Sequence, residues 1–308
     1  MKILIELPTW LGDAVMVTPA IENLVRHLGD VELTFLGSLI SIDTLKNHPK
    51  AIKSYVTDKN IFQLYKTLKD LDDFDIFVSF RGSLRATIIK LCVSSKNKYQ
   101  FNKKKYKKGH QVEKYNDFIN DSLKINTIAS KLTLHVEKES INKKNRLLGI
   151  NPGAKYGSSK RWYPKKFADV ATSLSSQYDI IIFGGPGERE IAKDIEQYLI
   201  KNGISNYQNL AAKITIKELV SKIASLDLFI TGDSGPMHLA AACQIPTVAI
   251  FGPTKDVETS QWMNDKDSIV KKNLECQPCM KRVCPLKHHN CMKLVEVSDV
   301  LKAVKNLN

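Results

Sequence analysis

Four turns gather the residue types that bind anions and move protons. They are Pro8-Thr9-Trp10-Leu11-Gly12-Asp13, Asn151-Pro152-Gly153-Ala154-Lys155, Gly184-Gly185-Pro186-Gly187-Glu188 and Gly232-Asp233-Ser234-Gly235-Pro236-Met237-His238. Glycine lets backbone approach a ligand closely, and the free amides that open a following helix form an anion site. Lys155, Lys160 and Arg161 stand just beyond Gly153. Cations placed there neutralise the charge on a departing diphosphate, although a solvated basic loop has the same composition. Asp13 reads either as the N-cap of a helix starting at Ala14 or as a general base for an attacking hydroxyl. Asp233 and Ser234 suit both capping of a helix near Pro236 and ligand contact, and His238 suits the core or the site.

Other patterns narrow the chemistry. No G-x-G-x-x-G follows the first apolar run and no G-x-x-x-x-G-K-[ST] occurs, which weakens a dehydrogenase or a P-loop NTPase. Cys276, Cys279, Cys284 and Cys291 are spaced C-x2-C-x4-C-x6-C with His288 and His289 between the last two. Such a set either binds a structural zinc ion or stays as reduced thiols. Cys92 and Cys243 lie in apolar runs and are expected in the core.

These turns need strands before them and helices after them. Strands are expected at 2–7, 31–36 and 76–79, with helical periodicity through Val15, Ile21, Leu24 and Val25 and again over 62–71. A second alternation places strands at 147–151, 180–183, 228–231 and 247–251, and helices at 167–177, 191–201 and 216–224. The polar stretch 138–146 puts a domain boundary near Lys144, giving an N-terminal domain 1–144 and a C-terminal domain 145–308. The fold class is α/β, two doubly wound domains with a cleft between them. In such sheets ligands sit at the carboxyl ends of the strands, where the four turns fall.

Bulk properties agree with a two-domain globular chain: 308 residues, 43% hydrophobic and 25% charged. The apolar run 239–251 is shorter than the roughly 20 residues of a spanning helix, and no secretory signal is evident, so a cytoplasmic protein is expected. A formal charge of +14 attracts nucleic acid, anionic membrane or phosphorylated substrate alike. Segment 95–114 concentrates this charge. Lys103, Lys104, Lys105, Lys107 and Lys108 are interleaved with Phe101 and Tyr106, in a mobile basic loop or an edge.

Five segments in chain order resemble the bacterial ADP-heptose:lipopolysaccharide heptosyltransferases of glycosyltransferase family 9. They are 7–16, 151–154, 159–162 (Ser-Lys-Arg-Trp), 183–188 and 232–238, and the run TVAIFGPT at 247–254 is similar too. The cysteine tail is most similar to the second-heptose branch, heptosyltransferase II. The resemblance implies the GT-B architecture, two Rossmann-like domains with the acceptor bound by the first and the nucleotide sugar by the second. It implies inverting transfer of a heptose from ADP-heptose to the heptosyl-Kdo-lipid A inner core, without cofactor or divalent metal. By the same resemblance Asp13 is the catalytic base and Lys160 holds the donor diphosphate. Gly153, Glu188, Ile214, Asp233, Ser234, Gly235 and His238 would then line the donor site, Glu188 at the ribose and Ile214 near adenine. Loop 155–159 departs from the shorter, threonine-containing version of some relatives, so Lys155 is not carried over.

On that reading the five lysines of the basic segment face acceptor phosphates or the inner leaflet of the membrane, with the protein peripherally attached. Two alternatives keep the same composition. One is a same-fold transferase with another nucleotide sugar or the first-heptose acceptor; the other is a basic nucleic-acid-binding protein, for which no recognised motif is present.

Overall fold

Residues Ile3, Leu4 and Ile5 form an unbroken apolar run buried from both sides, the pattern of a central parallel strand. Around it the computed structural model, which describes residues 1–57, 60–136 and 145–307, divides into two units, Met1–Val136 and Glu137–Asn308. The boundary expected near Lys144 lies outside the described residues.

The first unit runs β1 (Lys2–Glu6), α1 (Leu11–Met16), α2 (Thr18–Leu28), β2 (Glu32–Gly37), α3 (Leu39–Leu45), β3 (Ala51–Val56), α4 (Ile61–Lys69), β4 (Phe74–Ser79), α5 (Leu84–Cys92), β5 (Ser95–Gln100) and α6 (Gln111–Leu123). Its five strands pair in parallel in the order β3-β2-β1-β4-β5. One sheet face packs Leu4, Leu36 and Phe77 against Leu64 of α4 and Ile89 of α5.

One expectation is resolved and one corrected in this unit. Of the two readings of segment 95–114, the edge holds: it forms edge strand β5, a turn in which buried Phe101 and the Tyr106 ring stack 5.5 Å apart, and the start of α6. His110 and Glu113 close a capping box on α6, which fixes where that turn ends. Cys92 is exposed at the end of α5 rather than in the core, because the helix turns Ala86 and Ile89 inward instead.

The second unit runs β6 (Arg146–Asn151), a 3-10 turn (Ser158–Lys160), α7 (Pro164–Leu174), β7 (Tyr178–Ile182), a 3-10 turn (Pro186–Glu188), α8 (Arg189–Lys201), β8 (Tyr207–Asn209), α9 (Ile216–Ala224), β9 (Leu228–Gly232), α10 (Gly235–Ala242), β10 (Thr247–Ile250), α11 (Asp256–Thr259), β11 (Asp267–Val270), α12 (Asn290–Lys293) and α13 (Val297–Leu307). Its six strands are parallel in the order β11-β10-β9-β6-β7-β8. All four strands expected here are present, and α9 spans 216–224 as read. α7 begins three residues before the expected 167 because Pro164 occupies a first-turn position that needs no amide donor. Trp162, fully buried, donates from Nε1 to the Val295 carbonyl at 3.1 Å and meets Phe167 edge-on. That contact ties the entry of α7 to the C-terminal tail.

Candidate active site

In the second unit the chain builds β6, β7 and β8 outward on one side, then returns to place β9 on the other side of β6. The carboxyl ends of β6 and β9 therefore flank the topological switch point, where open α/β sheets bind ligands. The turn after β6 carries Gly153 and leads to Lys160; the turn after β9 carries Asp233, Ser234 and Gly235.

These turns meet. Lys160 Nζ lies 2.5 Å from Asp233 Oδ2 and 3.4 Å from the Asp233 carbonyl, and stands 4.7 Å above the Tyr156 ring. Asp233 Oδ2 also accepts from Thr254 Oγ1 at 2.6 Å, which brings in the turn after β10. Side-chain exposures of 12% for Lys160 and 6% for Asp233 make this a largely desolvated pair. Removing water strengthens a charge pair but penalises either charge left alone.

Ser234 precedes α10, yet its side chain makes no capping bond. Its hydroxyl instead takes a hydrogen bond from Asn151 Nδ2 at 3.1 Å and lies 3.2 Å from Thr231 Oγ1. Asp233 is likewise committed to Lys160 and Thr254. The capping expectation for these two side chains is thus corrected, because partners on neighbouring strands hold them. His238 is buried on the first turns of α10.

The turn after β7 joins the same end of the sheet. Glu188 accepts the Gly185 amide at 2.7 Å, and its carboxylate occupies the space that a Cβ on Gly153 would need. Glycine at 153 is what lets these two turns approach. Ile214 is half-buried in the turn between β8 and α9, also at the carboxyl end of the strands.

The loop that presents Lys160 is anchored by the tail. Ser159 Oγ donates to the Lys281 carbonyl at 2.6 Å, Ser159 N to the Arg282 carbonyl at 3.2 Å, and Tyr156 Oη to the Met280 carbonyl at 2.7 Å. His289 Nε2 lies 2.9 Å from the Ser159 carbonyl. Gly157 fits only without a side chain, since a Cβ would overlap the Arg282 carbonyl. Sequence reasoning missed this bracing and the role of Thr254.

All four tail cysteines line one small cavity with Ser159, Pro253, His288 and His289. Burial, helped by the neighbouring Cys279, Cys284 and Cys276 thiols, pushes the Cys291 thiol up to about 11. Among the described residues the group whose ligand atoms all lie within 4.8 Å of one another is a different one, Glu22, His48 and His135 of the first unit. The Asp-x-Asp triplets 70–72, 73–75 and 265–267 fall before or at the amino ends of β4 and β11, away from the site turns.

In the first unit the switch point lies between β1 and β4. Trp10, not Asp13, is the residue preceding α1, so Asp13 sits within the first helical turn. The expected N-cap role of Asp13 is therefore corrected: the helix starts at Leu11, three residues earlier than Ala14. The Tyr115 hydroxyl of α6 donates to Asp13 Oδ1 at 3.3 Å. Beside it lies a network the sequence did not reveal. Glu6, fully buried at the end of β1, accepts Ser79 Oγ at 2.6 Å and Arg81 Nη1 at 3.1 Å. Burial raises the Glu6 carboxyl while Ser79 and Arg81 pull it back down. Lys103, Lys104, Lys105, Lys107 and Lys108 are all exposed, with Lys105 paired to Asp121 at 2.6 Å.

Comparison with known proteins identifies relatives along the whole chain. The glycosyltransferase family 9 (heptosyltransferase) profile matches residues 61–290. Lipooligosaccharide heptosyltransferase 2 of Campylobacter jejuni serotype O:2 is 43% identical over all of this chain and 98% of its own length. Among solved structures, E. coli ADP-heptose LPS heptosyltransferase II superposes with a TM-score of 0.83 at 20% identity, covering 100% of this chain and 98% of that one. An E. coli heptosyltransferase solved with ADP gives 0.76 at 12% identity, with full coverage of both chains.

Proposed function

Because the chain belongs to glycosyltransferase family 9, the heptosyltransferases, we propose that it moves a heptose from ADP-heptose onto the heptosyl-Kdo-lipid A inner core of lipopolysaccharide or lipooligosaccharide. The end-to-end likeness to lipooligosaccharide heptosyltransferase 2 carries this reading. The shared fold alone would not, since the same architecture serves many donors.

The chemistry follows from the two switch points, each taken by itself. In the first unit Asp13 accepts the proton of the acceptor hydroxyl as that oxygen attacks the anomeric carbon. The Tyr115 hydroxyl, held 3.3 Å from Asp13 Oδ1, orients the carboxylate for this step. Attack from the face opposite ADP inverts the configuration in one displacement.

In the second unit the bond from the anomeric carbon to the diphosphate breaks, and negative charge gathers on ADP. Lys160 and the amides opening α10 after Ser234 meet that charge. Glu188 and Gly153 shape the ribose end, and Ile214 borders the base. With a lysine and a helix terminus assigned to the diphosphate, the reaction needs no divalent ion. Asp233 keeps Lys160 in place before the donor arrives. The lysines of the turn 103–108 attract acceptor phosphates to the first unit, which works against the inner membrane leaflet.

Purified protein offered ADP-heptose, UDP-sugars and GDP-sugars with a lipid-linked inner-core acceptor tests this. Selective ADP-heptose turnover that survives EDTA, and that Asp13→Asn abolishes while ADP binding persists, is expected. Turnover without preference for the adenine donor sinks the donor assignment, and an active Asp13→Asn sinks the base.

A further inference from the structure

Helices α4 and α5 cover the same face of the first unit's sheet, through Leu64 and Leu68 on one and Ile89 on the other. Their opposite sides carry large apolar residues in the open. Phe62 is 79% exposed and Tyr65 58% on α4; Leu84 is 78%, Ile88 40% and Leu91 74% on α5. On α5 these positions are spaced i, i+4 and i+7, a single stripe along one side of a helix. On α4 Phe62 and Tyr65 share their side with Lys66 and Lys69, and Lys69 Nζ lies 4.9 Å over the Tyr65 ring.

Charge on the two helices has one sign. They carry Lys66, Lys69, Arg85 and Lys90, and neither contains an aspartate or glutamate. Asp70, Asp72 and Asp73 follow α4, whereas the border of α5 is positive. Gly82, just before α5, approaches so closely that its missing Cβ would lie 4.0 Å from Lys103 N and Cγ. The exposed turn 103–108 therefore flanks the N-terminus of the Leu84 stripe. The aromatic rings of that turn face inward, with Phe101 buried, so the turn supplies charge and the helices supply apolar surface.

Apolar side chains in a cationic rim are the chemistry of a surface that dips into the headgroup layer of an anionic bilayer. We infer that the outer side of α4 and α5 is a membrane-docking face, with Leu84, Ile88, Leu91, Phe62 and Tyr65 entering the acyl boundary and Lys66, Lys69 and Lys90 meeting lipid phosphates. This extends the lipid-linked acceptor reading above by assigning the contact with the bilayer to two helices outside the donor and base sites. No helix among the described residues is long and apolar enough to cross a membrane, so the contact is with one leaflet.

Flotation of the full chain with vesicles tests the face without donor or acceptor, so its failure is separate from failure of the proposed activity. Wild type is expected to bind phosphatidylglycerol–phosphatidylethanolamine vesicles and to leave pure phosphatidylcholine vesicles largely free. Leu84→Ser/Leu91→Ser and Lys66→Gln/Lys69→Gln should each weaken binding at least tenfold. Both should keep the wild-type melting temperature and wild-type turnover of a deacylated, water-soluble acceptor. Three results overturn the inference: no wild-type binding to anionic vesicles, unchanged binding by both variants, or self-association in solution that Leu84→Ser/Leu91→Ser abolishes while vesicle binding persists.

Discussion

The Tyr115 hydroxyl donates to Asp13 Oδ1 across 3.3 Å, joining α6 to the first turn of α1. Burial, and then the nearby Asp13 charge, push the Tyr115 phenol well above its ordinary value. It is therefore a hydrogen-bond donor at every assay pH. Tyr115→Phe should lower kcat about tenfold, the worth of one hydrogen bond to a charged group, with donor KM unchanged. Asp13→Asn should lower kcat by roughly 100- to 10,000-fold. Steady-state kinetics on the two variants checks both, and a Tyr115→Phe enzyme with wild-type kcat would remove the tyrosine from the mechanism.

Lys160 and Asp233 stabilise the fold only as a pair. Lys160→Ala strands a carboxylate that is 6% exposed, so it should cost roughly 3–5 kcal/mol in urea unfolding. Adding Asp233→Asn should recover most of that loss. The donor reaction should not recover: kcat/KM is expected about 100- to 1,000-fold down in both, as for loss of one preorganised charge donor. Recovery of catalysis in the double variant would assign Lys160 a structural role alone.

At Gly153 a methyl group would have to displace Glu188. Gly153→Ala should therefore raise donor KM about tenfold and cost 1–3 kcal/mol by overpacking, roughly. In the Gly153→Ala/Glu188→Ala variant the obstacle is gone, so stability should come back while the KM defect persists. A double-mutant cycle showing simple additivity would mean the two side chains do not share the space.

Acid stability should carry the signature of Glu22. Hydrogen bonds and charge from His48, then His135, hold its carboxyl below the usual range against the opposing cost of burial. A carboxyl lowered on folding contributes stability above its unfolded value, and loses it as pH falls through the folded value. Glu22→Gln should be less stable than wild type by about 1 kcal/mol at pH 6. Thermal melts should show that gap closing as pH falls through the lowered folded value of Glu22. A gap independent of pH would rule out the ionised carboxylate as its source.

Cys291, with its thiol pushed up to about 11, stays protonated through the neutral range. Alkylation at pH 8 should label exposed Cys92 first and Cys291 last, because the thiolate is the nucleophile. Peptide mapping by mass spectrometry reads the order directly; early labelling of Cys291 would show a tail that opens in solution.

Legibility in the sequence followed burial. β6, β7, β9 and β10 are buried on both faces and were read from apolar runs, and the turns after them were found because glycine and proline mark them. β3 and β5 are edge strands with sequences AIKSYV and SKNKYQ, whose polar faces give no periodic signal. α6 escaped because a histidine, not the usual serine or threonine, opens its capping box. Lys160 was located by its motif, but its partner Asp233 lies 73 residues away, a distance no local pattern spans. Glu6 interrupts an apolar strand, and a charge in such a place needs a partner. That Arg81 supplies it, 75 residues on, is written only in the fold.

The anchors of the Lys160 loop also fix when the protein becomes competent. Tyr156 and Ser159 find their partners at Met280, Lys281 and His289, 122 to 130 residues downstream. During synthesis the sheet around β6 and β7 can form while those partners are still inside the ribosome. Lys160, which we assign to the diphosphate, thus cannot be held in position until the tail has emerged. A chain cut short near residue 275 would keep all six strands of the second unit yet lack the brace on the Lys160 loop, so on the proposed reading it would fold its sheet without becoming active.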